Sequence, residues 1–174
     1  MPQEPKQEHE RKFVIRRLPS SLPEEVTELV QVYTGNEDPK LEMRCRREDD
    51  QRYLVFKLDE GDGGSRDETD PPLDLTNSPR IFDYLATHWV LPGYTRIRKD
   101  RYQLDHGPEA KEFSLDVYFD QLVGHFVIEV EFFSAEDMAA WKIPTWMVEL
   151  GATEVTHDKR YKNKSLAKNG WPEE

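Results

Sequence analysis

Glutamates at positions 8 and 10 and a lysine at position 12 are each separated by one residue in Glu8-His9-Glu10-Arg11-Lys12-Phe13-Val14-Ile15. In an extended strand alternate side chains point to one face, so this spacing sets two carboxylates and an ammonium in one row, with Arg11, Phe13 and Ile15 on the other. Such a row covers an apolar core badly. It suits a divalent cation held by oxygen donors beside an anionic substrate. The pattern recurs four more times. Glu42, Arg44 and Arg46 share a face opposite Leu41, Met43 and Cys45, and Lys57 stands opposite Leu54, Phe56 and Leu58. Lys99 and Arg101 share a face further on, and Glu129 and Glu131 alternate with Ile128, Val130 and Phe132.

The apolar rows must be buried, so the charged rows either meet water or line a lumen. An open sheet would leave the charges as a solvated surface. A curled sheet would turn them inward around a water-filled channel. Like charges at Glu8 and Glu10, and at Glu129 and Glu131, repel unless a cation joins them, while Arg44 and Arg46 want an anion. A complex of a metal with a polyphosphate satisfies both sets together, and this favours the curled arrangement.

The elements that must position these rows are short strands. The chain has 174 residues, a length suited to one domain that buries roughly 70% of its unfolded surface. Strands are expected over residues 8–15, 28–34, 40–47, 52–59, 95–104, 112–119 and 125–133, with a hairpin turn at residues 48–51 and a flexible loop at Gly61-Asp62-Gly63-Gly64-Ser65. Asn77 as cap, Pro79 in the first turn and the stripe Ile81, Phe82, Leu85, Trp89 predict a helix over 77–89. A short helix is expected from Pro23, and a capping box at Ser134-Ala135-Glu136-Asp137 opens another. Lys159, Arg160, Lys162 and Lys164 form a basic run suited either to a solvated helix end or to a tunnel mouth. Residues 1–7 are expected to be a polar tail, 8–170 the single domain, and 171–174 a second tail.

Charged residues make up 34% of the chain, hydrophobic ones 36%, and the net charge is −11. That balance argues against a general nucleic-acid surface, which needs a basic face, but it leaves room for cations gathered in one cavity. With no long apolar run, no apolar segment after Met1 and a single Cys45, the expectation is a soluble cytoplasmic protein that neither spans a membrane nor carries a disulfide. Many antiparallel strands and few helices suggest a closed or nearly closed barrel.

The ordered set Glu8-x-Glu10-x-Lys12, Arg44-x-Arg46, Lys57, Lys99-x-Arg101-Tyr102, Leu115-Asp116-Val117, Glu129-Val130-Glu131-Phe132 and Arg160-Tyr161-Lys162-Asn163-Lys164-Ser165-Leu166-Ala167 resembles the CYTH superfamily, the triphosphate tunnel metalloenzymes. The resemblance runs from Glu8 to Ala167. It implies a mainly β (α+β) fold, a closed eight-stranded antiparallel β-barrel with a few flanking short helices. It implies metal-dependent hydrolysis of inorganic triphosphate to pyrophosphate and phosphate, with Mg2+ or Mn2+ as cofactor. By that similarity Glu8, Glu10, Glu129 and Glu131 are metal ligands, and Lys12, Arg44, Arg46, Lys57, Lys99 and Arg101 bind substrate. Lys12, Glu10 and Glu129 carry the catalysis, and Glu68 and Asp116 are further tunnel acids.

Two positions depart from the family pattern. Where relatives place two glutamates after the glycine-rich loop, this chain has Glu68 and Asp70, followed by Pro71 and Pro72, which cannot donate to a ladder. Two positions before Asp116, where many relatives have Glu, stands Ser114. Alternatives within this reading are an organic triphosphate as substrate (thiamine triphosphate, a nucleoside triphosphate, or ATP cyclised to cyclic AMP) and a non-catalytic polyphosphate- or nucleotide-binding module. Cyclases carry a His-Phe pair ahead of the first glutamates, and Met1 to Gln7 has none. The partner expected is a small-molecule triphosphate, and exposed edges near residues 70–72 leave room for a homodimer.

Overall fold

The strands pair into one antiparallel sheet whose two faces have opposite chemistry. The computed structural model describes residues 9–35, 38, 40–59, 66–68, 72–105 and 110–173. In chain order these form β1 (His9–Ile15), β2 (Thr27–Thr34), β3 (Leu41–Glu48), β4 (Gln51–Asp59), β5 (Arg66–Glu68), β6 (Leu73–Asp74), α1 (Pro79–His88), β7 (Ile97–Gln103), β8 (Glu112–Tyr118), β9 (Phe126–Phe132), α2 (Ala135–Ala140), α3 (Thr145–Glu149), β10 (Thr153–Glu154) and α4 (Asn163–Asn169). The ladder runs β10-β1-β9-β8-β7-β2-β3-β4-β5, with β6 also on β4. Glu8, the tail before it, the loop at residues 61–65 and Asp70 lie outside the described residues.

The sheet curls. Glu10 on β1 and Lys57 on β4 are six strands apart along the ladder, about 29 Å if the sheet were flat. Yet both line one cavity, and the Lys57 ammonium acts on the Glu10 carboxyl. The expected closure into eight strands is not seen: among the described residues no hydrogen-bonded pairing joins the β10 and β5 ends of this ten-stranded sheet. The ends are short, two residues at β10 and three at β5, which leaves little ladder with which to close.

Outside the curl, apolar rows pack on helices. Phe13, Ile15, Phe113, Leu115, Ile128, Val130 and Phe132 of β1, β8 and β9 meet Trp141 and Met147 from the α2–α3 segment. Val32, Cys45 and Leu54 meet Leu75 and Phe82, the one buried side chain of α1. The stripe expected for α1 is only partly covered, since Ile81 and Trp89 are exposed. Ser78 rather than Asn77 occupies the cap, without a side-chain bond, because Pro79 takes the first helical position. No helix forms after Pro23; Leu18 and Leu22 pack against the core from an irregular connection. Ser134 does cap α2, its Oγ accepting from the Asp137 N–H at 3.1 Å and donating to Asp137 Oδ2 at 2.8 Å, so the Asp137 side chain meets the hydroxyl and not the Ser134 N–H that a full capping box would use.

Inside the curl, the tunnel face changes character along its length. At one end Tyr33, Ile97, Tyr118 and Val127 join Leu166 and Ala167 of α4 in a buried cluster, so α4 seats an apolar floor in the lumen. Tyr118 Oη donates to Asn163 Oδ1 at 2.8 Å, and Trp171 stacks on His125 with ring centroids 4.0 Å apart, tying the C-terminal segment to this floor. Among the described residues no helix is long and apolar enough to cross a membrane.

Ile128 is fully buried where β9 faces α2 and α3. Truncating it to Ala should therefore cost about 2–5 kcal/mol of unfolding free energy, whereas Val123→Ala, at a largely exposed position, should cost less than about 0.5, as read from urea denaturation midpoints.

Candidate active site

Alternation delivers the charged rows to one place. Glu10 and Lys12 of β1, Glu42, Arg44 and Arg46 of β3, Lys57 of β4, Lys99 and Arg101 of β7, and Glu129 and Glu131 of β9 line a single cavity of about 530 Å³. Register places them level with one another: Glu10 opposite Glu131, and Lys12 opposite Glu129. Lys57 lies opposite Glu68 on β5. Glu10, Glu129 and Glu131 collect on the β1–β9 side, with Lys12 among them, and most of the cations on the β7, β3 and β4 side, with Glu42 among those.

A chain of ion pairs crosses between the two sides. Lys12 Nζ lies 2.8 Å from Glu129 Oε1, and Arg101 Nη2 donates to Glu129 Oε2 at 2.5 Å. Arg101 also grips Asp116 with both sides of its fork, Nε to Oδ1 at 2.7 Å and Nη2 to Oδ2 at 2.8 Å. Lys99 Nζ donates to the same Oδ2 and sits 5.4 Å from the centre of the Tyr118 ring. Lys99 and Asp116 are fully buried, so Asp116 lies behind the cations it holds rather than on the lumen surface. Three cations and two carboxylates leave this chain one positive charge in excess.

The titration behaviour follows from that wiring. Burial works to raise Glu129, but Lys12, Arg101 and Lys99 outweigh it and hold this carboxyl well below its ordinary range. Burial and repulsion from Glu129 push Glu10 up, with Lys12 and Lys57 acting against the shift. Burial depresses Lys99, and Asp116 does not fully offset it. Lys12 goes the other way, because Glu129 and Glu10 outweigh its desolvation.

Among the described residues no three acids, histidines or cysteines converge as a ready-made metal cage. The donor set nonetheless fits a hard divalent cation. Glu10 and Glu131 face each other across the β1–β9 pair, all candidate ligands are carboxylate oxygens, and the buried Glu10 is held against ionisation by like charge. Glu129 differs, since each of its oxygens already meets a cation.

The cavity also takes residues that the charge pattern did not single out: Gln31 and Tyr33 of β2, and Asn163 and Ser165 beside Lys159, Lys162 and Lys164. The period-two rule applied to residues 27–34 would have found Gln31 and Tyr33, which share a face. Of the basic run, Lys159, Lys162 and Lys164 line the cavity while Arg160 is exposed and pairs with Asp158, so the run is partly a cavity rim and partly solvated; no sequence periodicity carries this C-terminal contribution.

No family model matches the chain. An inorganic triphosphatase from Nitrosomonas europaea is 35% identical over 161 residues, covering 92% of this chain and 96% of that protein. A crystal structure of an inorganic triphosphatase superposes with a TM-score of 0.64 at 28% identity, covering 96% of this chain and 98% of the other. A putative adenylyl cyclase from Hippeastrum, described as having a dominant triphosphatase activity, shares the fold at a TM-score of 0.58 and 15% identity over 95% of this chain and 97% of its own.

The depressed Glu129 contributes stability that is complete above the ordinary glutamate value, about 4.3, and is lost as pH falls through its lower folded value. Glu129→Gln removes one partner of a buried pair and should cost about 3 kcal/mol at pH 7. Urea titrations should show the difference from wild type unchanged at pH 5.5 and shrinking below pH 4.

Proposed function

The chain belongs to the CYTH superfamily, the triphosphate tunnel metalloenzymes, and from that premise we propose that it hydrolyses inorganic triphosphate to pyrophosphate and phosphate inside its tunnel. The observation that carries the reading is the convergence of Lys12, Arg44, Arg46, Lys57, Lys99 and Arg101 on one cavity that also bears Glu10, Glu129 and Glu131. A linear polyphosphate presents several anionic oxygens in a row, and a wall of fixed cations matches it without the protein as a whole being basic. In this proposal the curled sheet represents the eight-stranded tunnel of the family, with β10 and β6 as short additions to its eight strands.

The chemistry asked of the side chains is mostly electrostatic. Phosphoryl transfer passes charge onto the equatorial and leaving oxygens, and cations already in place stabilise it without reorganising. Arg44 and Arg46 stand two residues apart on β3 and bind the polyphosphate chain. Lys12 and Arg101 hold Glu129 in the absence of substrate and turn part of their charge to phosphate when it arrives. Lys99, fixed by Asp116, supplies a positive field from beneath the lumen.

Glu10 and Glu131, together with Glu129, would hold magnesium or manganese, which when bound would supply Lewis acidity toward the phosphate oxygens. Glu8 is the fourth proposed ligand by family resemblance. A cytoplasmic location belongs to the same proposal and is in keeping with the unpaired, buried Cys45.

Phosphate release from inorganic triphosphate, ATP and thiamine triphosphate, each with magnesium, manganese or EDTA, tests the reading. Rapid release from inorganic triphosphate that EDTA abolishes is expected; silence on all three, with triphosphate still raising the melting temperature, would make this a binding module instead. Two variants separate the roles. Glu10→Gln should abolish metal-dependent turnover, and Arg44→Ala should raise the KM for triphosphate by roughly 10- to 100-fold while leaving the melting temperature within a few degrees.

A further inference from the structure

Gln31 is a neutral residue on a charged wall. It stands on the tunnel face of β2, opposite Arg46 on one neighbouring strand and opposite Ile97 on the other, where the cationic wall meets the apolar floor. The residue is 5% exposed, and its Oε1 is shielded from solvent and accepts no hydrogen bond from the described residues. A buried acceptor left unsatisfied is costly, and occupation of the cavity can relieve that cost.

An acceptor needs a hydrogen. The ionised oxygens of a triphosphate carry none, and a protonated phosphate oxygen is disfavoured beside Arg44 and Arg46, which favour the charged form. Water is the reactant of hydrolysis that brings hydrogens to this wall. We propose that Gln31 is a positioning residue whose Oε1 accepts a hydrogen bond from the attacking water and aims its lone pair at a terminal phosphorus; this rests on the triphosphatase reading above. The water oxygen forms a bond to phosphorus as the bridging P–O bond breaks, and pyrophosphate leaves with the electron pair. The two hydrogens of the water end as one on orthophosphate and one on pyrophosphate. A carboxamide orients water without adding charge, the device that a glutamine supplies in other phosphoryl-transfer sites. A carboxylate at the same place would compete with phosphate for Arg46.

Steady-state kinetics on inorganic triphosphate with Gln31→Leu and Gln31→Glu, together with the melting-temperature rise caused by triphosphate in EDTA, tests this. Gln31→Leu, of similar size but without an acceptor, should lower kcat about 10- to 100-fold with KM and the triphosphate-induced shift unchanged. Gln31→Glu, which keeps an acceptor and adds charge, should retain more of kcat and raise KM. Wild-type kcat in Gln31→Leu, or a defect confined to KM in that variant, would overturn the assignment. So would kcat, KM and thermal stability falling together in both variants, since that is the mark of a packing role. If the wild-type protein itself releases no phosphate, the triphosphatase reading fails and this inference fails with it; turnover in the wild type with an unaffected Gln31→Leu sinks this inference alone.

Discussion

Everything in the tunnel rests on the way Arg101 joins two carboxylates. One guanidinium grips Asp116 with both sides of its fork and reaches Glu129 with the same Nη2, and from those acids hang Lys99 and Lys12. Without such alternation, the nine cations and four acids that line this one cavity would repel within each set and press the sheet open. With it, ion pairs join β1, β7, β8 and β9 on their charged face while their apolar faces pack outside. Buried ion pairs of this kind add little net stability over an apolar substitute, because desolvation consumes much of the Coulomb gain. Their value lies in holding charge ready at fixed places, which is what a site for a polyanion requires.

The same wiring divides labour between two layers. Asp116 and Lys99 are fully buried and set the field from behind. Arg44, Arg46 and Lys57 come from β3 and β4 on the other side of the curl and meet the lumen directly. Lys12 and Arg101 belong to both layers, pairing with Glu129 while reaching the cavity surface. Leu166 and Ala167 pack against Tyr33, Ile97 and Tyr118 to build an apolar floor beside this charged chamber.

Much of this was legible in the sequence because a strand has a period of two and charge is easy to see. Glu10, Lys12, Arg44, Arg46, Lys57, Lys99, Arg101, Glu129 and Glu131 are all brought to one cavity, as alternation required once the apolar rows were buried. What alternation does not encode is depth and closure. Asp116 shares a face with tunnel residues yet lies beneath Lys99 and Arg101, since a short side chain between long cations is covered by them. The ends of the sheet depend on short pairings at β5, β6 and β10, which no periodicity of two or three residues can announce. The stripe on α1 looked fully core-facing, but the sheet beneath it is wide enough to cover Phe82 and not Ile81 or Trp89. Gln31 escaped notice because it carries no charge, although its strand neighbours obey the same rule.

The most direct test of the account is calorimetric titration of a non-hydrolysable imidotriphosphate, in magnesium, into the wild-type protein and into a variant with Arg44 and Arg46 both changed to Ala. One ligand should bind per chain to the wild type, and the double variant should lose at least about 100-fold in affinity, roughly 2.7 kcal/mol. Absence of binding to the wild type, or equal affinity in the two proteins, would mean that the charged tunnel is not where a triphosphate sits.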